Sequence, residues 1–176
     1  YPRTVQQGKG RQSSESQPKQ SIDVKDKIAY ISQHGLFHQL LETQHDFTVP
    51  TYARGGGKLA MVNVWMGTHG TVTHLHTDEH DNFLAQVAGF KLVRLCATSN
   101  RDRLYVSQHP RATPENPLNW FSPVDAEHPD LELHPMVAGI HWQDTVLGPG
   151  DTLFIPKGYW HYVRALTTSV SLNFWF

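Results

Sequence analysis

The sequence predicts an all-β domain, a sandwich or barrel with minor helices. Short runs rich in β-branched and aromatic residues recur from residue 59 to the C-terminus. Gly and Pro punctuate these runs, as in Gly148–Pro149–Gly150–Asp151 between "TVL" and "TLFIP". No heptad pattern or internal repeat competes with them. At 176 residues, 39% hydrophobic, the chain suits one core rather than two.

Residues 1–27 are dominated by Gln, Ser, Lys and Gly and offer little apolar surface to bury, so a polar flexible arm or insertion is expected there. The folded domain is expected over 28–176. "DKIAYISQHGLFHQLLE" begins extended around Ile28, Tyr30 and Ile31. It breaks near Gly35, then spaces Leu36, Phe37, Leu40 and Leu41 for a short helix. "VPTYARGGGK" reads as a loop, on Pro50 and Gly55–Gly57. "LAMVNVWMG" partly alternates as a strand does, and "GTVTHLHTD" is extended after its Gly. "FLAQVAGFKLVRLCA" reads as two strands joined at Ala88–Gly89. Residues 99–139, rich in Pro, His, Asn and Asp, are expected to form a long functional loop with one helical turn. The segment from His141 to Phe176 supplies three or four short strands.

Composition narrows the function classes. The net charge is −1 and the Lys and Arg residues are scattered, so no phosphate-tracking surface is expected and nucleic acid is not an expected partner. No apolar run approaches the roughly 20 residues that span a bilayer. Cys96 is the sole cysteine, which excludes an intrachain disulfide. With no signal segment at the start of the chain, a reducing intracellular location, nucleus or cytoplasm, is expected. Oligomeric state is not legible.

The chemistry concentrates in "THLHTDEHDNFLAQVAGFK", residues 73–91. Alternate residues of a strand share a face, so His76 and Asp78 project together with Thr77 opposite. An imidazole nitrogen beside a carboxylate oxygen makes two corners of a metal site. The strongest candidate for a third is His161, which opens a strand after "FIPKGYW". Two His and one carboxylate on one face form the triad typical of non-haem Fe(II) oxygenases. The plainer reading is a solvated turn pair, because a chain with twelve histidines produces such spacings by chance. Lys91, alternating with Val93 and Leu95, shares a face with apolar residues; its plainer reading is an edge-strand lysine that blocks aggregation.

Five segments decide between these readings. "AYISQHGLF", "VWMGTHGTVTHLHTDEHDNFLAQVAGFKLVRL", "VDAEHPDLELHP", "LGPGDTLFIPKGYWHYVRAL" and "SVSLNFWF" resemble, in order and approximate spacing, the small JmjC-domain oxygenases of the cupin superfamily. The resemblance covers roughly residues 28–176. It extends to the branch described both as lysine-specific demethylases and as arginyl hydroxylases, and to the asparaginyl hydroxylases that inhibit hypoxia-inducible factor.

The resemblance implies a double-stranded β-helix, the jelly-roll or cupin-like barrel, with Fe(II), 2-oxoglutarate as cosubstrate, and O₂. It implies His76, Asp78 and His161 as metal ligands and catalytic centre. Lys91 falls on the lysine that pairs with the far carboxylate of 2-oxoglutarate, and Tyr30, Thr73 and Asn82 fall on its polar partners. Asn173 falls on a position near the metal-bound end of the cosubstrate in the asparaginyl branch, where the arginyl branch is expected to carry a different residue. Trp65 and Trp175 fall on aromatic residues that line the pocket. Family members usually carry further helices and strands ahead of "AYISQ", so the sequence is expected to be a fragment, a trimmed fold, or one in which the polar arm replaces those elements.

The activity so implied is hydroxylation of a protein or peptide side chain, arginyl favoured, with release of succinate and CO₂. Histone lysine demethylation, hydroxylation of a tRNA base, and a metal-binding cupin that recognises a partner without turnover stand as alternatives. His74 and His80 are expected at the rim. Trp120, Phe121 and Trp142 are expected as packing under the loop, Cys96 as a buried inert thiol, and His109, His128, His134 and His141 as surface groups.

Overall fold

The computed structural model of the chain describes residues 28–55, 59–108, 113 and 119–176. The expected arm at 1–27, Gly56, Gly57 and His109 lie outside them. Among the described residues nine strands form two antiparallel sheets. The first orders β1 (Tyr30–His34), β2 (Met61–Gly67), β9 (Ser169–Trp175), β4 (Asn82–Ala88) and β7 (Thr152–Ile155). The second orders β3 (Val72–His76), β8 (Trp160–Ala165), β5 (Lys91–Cys96) and β6 (Gln143–Leu147).

The two strands that meet at Ala88–Gly89 do not pair with each other. β4 lies in the first sheet and β5 in the second, and the Gly148–Asp151 turn likewise carries β6 of the second sheet into β7 of the first. Connections that switch sheets in this way wind a jelly roll, the double-stranded β-helix. Gly89 makes one crossing possible: its φ is +68°, and a Cβ there would stand 2.1 Å from the Thr168 carbonyl oxygen.

The central strand of the first sheet, β9, is buried on both faces, and its polar face looks inward. Along β9, Ser171 and Asn173 face the interior, where Ser171 donates to Gln86 of β4 at 2.6 Å. Val170, Leu172 and Phe174 face outward beneath Phe37, Phe47 and Ala53. The cover comes from α1 (Leu36–Gln39), a 3-10 turn at Leu41–His45, and α2 (Thr51–Gly55). α2 replaces the expected loop. The Pro50 carbonyl accepts Ala53 N–H at 3.0 Å, and Ala53 is fully buried against the sheet, so packing outweighs the local glycine signal.

Among its described residues the long 98–139 segment has three 3-10 turns, at Thr98–Leu104, Val106–Gln108 and Pro135–Gly139, rather than one helical turn. It packs Leu104, Tyr105, Val106 and Val137 onto Leu75, Trp160 and Tyr162 of the second sheet. His134 belongs to this layer: it is buried, its ring 4.7 Å from that of Tyr105, and is not the surface group expected. Trp142 does pack here, under the Arg94 guanidinium. Glu127 clamps the segment down, accepting from Arg164 Nη2 at 2.8 Å and from the Tyr162 hydroxyl, while Arg94 pairs with Asp144 and donates to the Ala126 carbonyl. Cys96 is buried, and burial pushes its thiol pKa up to about 12, so it is inert. No helix among the described residues is long and apolar enough to cross a membrane.

Candidate metal centre

His76 and His161 are register partners across β3 and β8, so their rings meet inside the barrel with centroids 4.1 Å apart. Asp78 lies two residues beyond the end of β3, and loop contacts rather than strand alternation aim it. Gly158 N–H donates to the Asp78 carbonyl at 3.0 Å, Lys157 N–H to Asp81 Oδ1 at 2.8 Å, and Thr77 N–H to the Trp120 carbonyl at 2.9 Å. The first two bonds stitch the "PKG" turn ahead of β8 to the loop after β3, and the third ties that loop to Trp120. Asp78 Oδ1 then lies 3.8 Å from His76 Nε2, and Oδ2 3.6 Å from His161 Nε2.

Both imidazoles are oriented from behind. His76 Nδ1 lies 2.7 Å from the His74 carbonyl and His161 Nδ1 3.1 Å from the Tyr159 carbonyl. A carbonyl can only accept, so each Nδ1 carries the proton and each Nε2 turns a lone pair toward Asp78. Burial holds both pKa values down at about 4, which keeps the rings neutral. For His76 the neighbouring His161 adds to the effect. Burial pushes the Asp78 carboxyl up, while His76, Trp175 and His80 favour its charged form. The Trp175 indole N–H faces Asp78 but falls short of a hydrogen bond with any partner. Two neutral imidazole nitrogens and one carboxylate, with candidate ligand atoms within 4.8 Å of one another, suit a divalent transition metal.

A pocket with about 370 Å³ of atom-free space runs inward from these three residues. Tyr30, Trp65, Thr73, Asn82, Lys91 and Asn173 line it, so it gathers every other expected site residue except Trp175, which lines the wider groove outside. Lys91 is 2% exposed; its Nζ makes one long hydrogen bond, 3.4 Å, to the Trp65 carbonyl, and no carboxylate among the described residues pairs with it. Burial lowers its pKa to about 8. The Tyr30 and Thr73 hydroxyls are 2.6 Å apart, and Trp65 Nε1 donates to Asn173 Oδ1 at 2.7 Å. Asn82 Oδ1 and Asn173 Nδ2 are buried without partners. An unpaired buried cation beside hydroxyls and unmet amides fits an anionic ligand with further oxygen atoms.

Several contributors escape sequence reasoning. Phe121, expected as packing under the loop, forms a β-bridge with His76, and its ring stacks on the imidazole at 5.9 Å. With Trp120, which is 45% exposed, it walls the outer groove. The His74 and Tyr159 carbonyls act through the backbone, which no side-chain pattern reveals. Asp81 carries a faint signal, an acid followed by the first residue of a strand. His74 is exposed at the groove and His80 stacks on Trp175 at its mouth, both at the expected rim. His128 and His141 are exposed.

Comparison with known proteins agrees in kind. A family described as a cupin-like domain matches residues 4–176. JmjC domain-containing protein F of Dictyostelium discoideum is 40% identical over 85% of this chain and 36% of its own length. Lysine-specific demethylase JMJ30 of Arabidopsis thaliana is 42% identical over 83% of this chain and 33% of its own length. Lysine-specific demethylase 8 of Xenopus tropicalis is 37% identical over 88% of this chain and 34% of its own length. The chain thus spans about a third of the length of the curated relatives it matches.

Proposed function

The chain belongs to the cupin-like family, among the JmjC-domain proteins, and from that premise we propose that it is a non-haem Fe(II)- and 2-oxoglutarate-dependent oxygenase acting on a side chain of a protein or peptide. The observation that carries this reading is the convergence of His76, Asp78 and His161 at the mouth of a pocket that also holds the unpaired Lys91. His76 and His161 would hold the metal through Nε2 and Asp78 through a carboxylate oxygen. When bound, iron with 2-oxoglutarate and O₂ supplies an oxidant that inserts one oxygen atom into a C–H bond, while the 2-oxo acid becomes succinate and CO₂.

The residues of the chain bind, orient and exclude water. Lys91, with the Tyr30 and Thr73 hydroxyls and the Asn82 amide, receives the far carboxylate of the cosubstrate. Trp65, Leu84, Ile155 and Val163 are the apolar wall that keeps water from it. Trp175 and Phe121 flank the opening, so a substrate side chain enters from the groove between them.

Two substrates suit this chemistry. The resemblance read from the sequence suggests an arginyl side chain, whereas two of the relatives above bear the name lysine-specific demethylase, which favours an N-methyl lysine. Hydroxylation of the N-methyl carbon gives a hemiaminal that breaks down to formaldehyde and the free amine. Hydroxylation of an arginyl carbon leaves a stable alcohol.

The test is anaerobic titration of Fe(II) and 2-oxoglutarate, then exposure to O₂ with methyl-lysine and arginine peptides. Succinate with formaldehyde supports the demethylase; succinate with a peptide one oxygen heavier supports the hydroxylase. Normal metal binding without succinate from any peptide overturns the enzyme reading in favour of a binding module.

A further inference from the structure

Asn63 stands in the middle of β2 with no exposed surface. Its side chain shares the interior face with Trp65, two residues on, and its register partner across the ladder is Asn173 of β9. Neither Asn63 Oδ1 nor Asn63 Nδ2 has a hydrogen-bond partner, and Asn173 Nδ2 has none. The assignment at Asn173 is fixed, because Trp65 Nε1 can only donate and so takes Oδ1. Both polar atoms of Asn63 are unmet, so exchanging them changes nothing. Register partners bring their Cβ atoms within about 5.5 Å, so the two amides are neighbours on the interior face of the sheet.

A leucine at position 63 has the same branched outline and would bring no polar atom of its own to satisfy, so the amide is out of place in a dry core. We propose that Asn63 and Asn173 bind water between them, and that this buried site positions Trp65 and, through it, the Lys91 end of the pocket. Water there accepts from Asn173 Nδ2 and Asn63 Nδ2 and donates to Asn63 Oδ1, the two to four polar partners a buried water takes. The line continues in observed bonds: Asn173 Oδ1 accepts from Trp65 Nε1, and the Trp65 carbonyl accepts from Lys91 Nζ. Asn63 is not in the pocket wall. It is a positioning residue that acts on the bound anion through Asn173 and Trp65. The water site rests on geometry alone; the effect on cosubstrate binding rests on the oxygenase reading above.

Three measurements on the full chain test it. Asn63→Leu, which expels water and leaves Asn173 Nδ2 without a partner, should bind 2-oxoglutarate in the presence of Mn(II) at least fivefold more weakly by calorimetry, whatever its melting temperature. Asn63→Ala, which leaves room for water, should melt lower but lose less affinity than Asn63→Leu. A merely structural asparagine gives the reverse order, with the cavity-forming alanine worse in both respects, and that result overturns the proposal. A high-resolution crystal structure decides without any variant. Water density between Asn63 and Asn173 supports the site, and a dry contact or a direct amide–amide bond refutes it. A parent chain that binds no Mn(II) or 2-oxoglutarate refutes the oxygenase reading and leaves the crystallographic result standing.

Discussion

Thr73 and His76 face the same side of β3 although alternation sets residues three apart on opposite sides. A bulge between them, where the register with β8 shifts from Thr73↔Val163 to His76↔His161, absorbs the mismatch. Thr73 therefore reaches Tyr30 in the pocket while His76 reaches His161, and Leu75 turns outward into the core beneath the 98–139 segment. The bulge puts a hydroxyl of the anion site and a ligand of the metal site in one chamber.

Removal of the Asp78 carboxylate should abolish metal binding without unfolding the protein. Burial raises its pKa, so the ligand-free fold does not lean on its charge. Asp78→Ala and His161→Ala are expected to lose Mn(II) affinity by about 100-fold or more in calorimetry, with the melting temperature of the ligand-free form unchanged or higher.

Lys91 gives the ligand-free protein a distinctive pH dependence. Its folded pKa, about 8, lies below the ordinary 10.5, so the unfolded chain holds the proton more tightly. The destabilisation is full below pH 8 and fades as pH rises from 8 to 10.5, by an amount on the order of 3 kcal/mol at most. Urea unfolding should show stability rising across that window. Lys91→Met should be more stable at neutral pH, lack this rise, and bind no 2-oxoglutarate. A flat profile in the parent would mean that the amine finds a partner.

The hydroxyl pair should matter to the cosubstrate and not to the metal. Tyr30→Phe and Thr73→Val each remove one side of a 2.6 Å hydrogen bond beside the pocket. Each is expected to weaken 2-oxoglutarate roughly tenfold while Mn(II) affinity stays within about twofold. Equal losses for both ligands would show that the pair supports the whole barrel instead.

Phe121 seals the free edge of β3. Ser122 N–H donates to the Leu75 carbonyl at 3.0 Å and Thr77 N–H to the Trp120 carbonyl at 2.9 Å, on either side of the His76–Phe121 bridge. Phe121→Ala removes the ring that backs the His76 imidazole. A roughly tenfold loss of metal affinity is expected, the lower end for a group that orients a ligand without touching the metal. Titration with Co(II), read by its visible absorption, would check both the affinity and the ligand geometry.

Gly89 should tolerate no side chain. Its positive φ and the Thr168 carbonyl leave no room for a methyl group, so Gly89→Ala is expected to destabilise by more than about 2 kcal/mol in chemical denaturation. Gly150, also at positive φ but with open space around it, should accept alanine at a smaller loss.

The order of residues by itself determined the strand succession and offered His76, Asp78 and His161 as triad candidates, because alternation and Gly/Pro punctuation are local properties written in neighbouring side chains. Lys91 read alone as an edge-strand lysine, and only the resemblance to the JmjC-domain oxygenases placed it in the pocket. It also carried the "SVSLNFWF" alternation, though it could not say that the polar half faces inward. That choice belongs to the tertiary structure: α1, α2 and Phe47 cover the apolar half, and the polar half is left to line the chamber. Strand alternation also credited the wrong cause at Asp78, which a loop positions through Gly158 and Thr77. The β3 bulge, the sheet-switching turns and the place of Phe121 were illegible for one reason. Each depends on backbone hydrogen bonds between segments far apart in the chain, and every residue carries the same backbone donor and acceptor whatever its side chain.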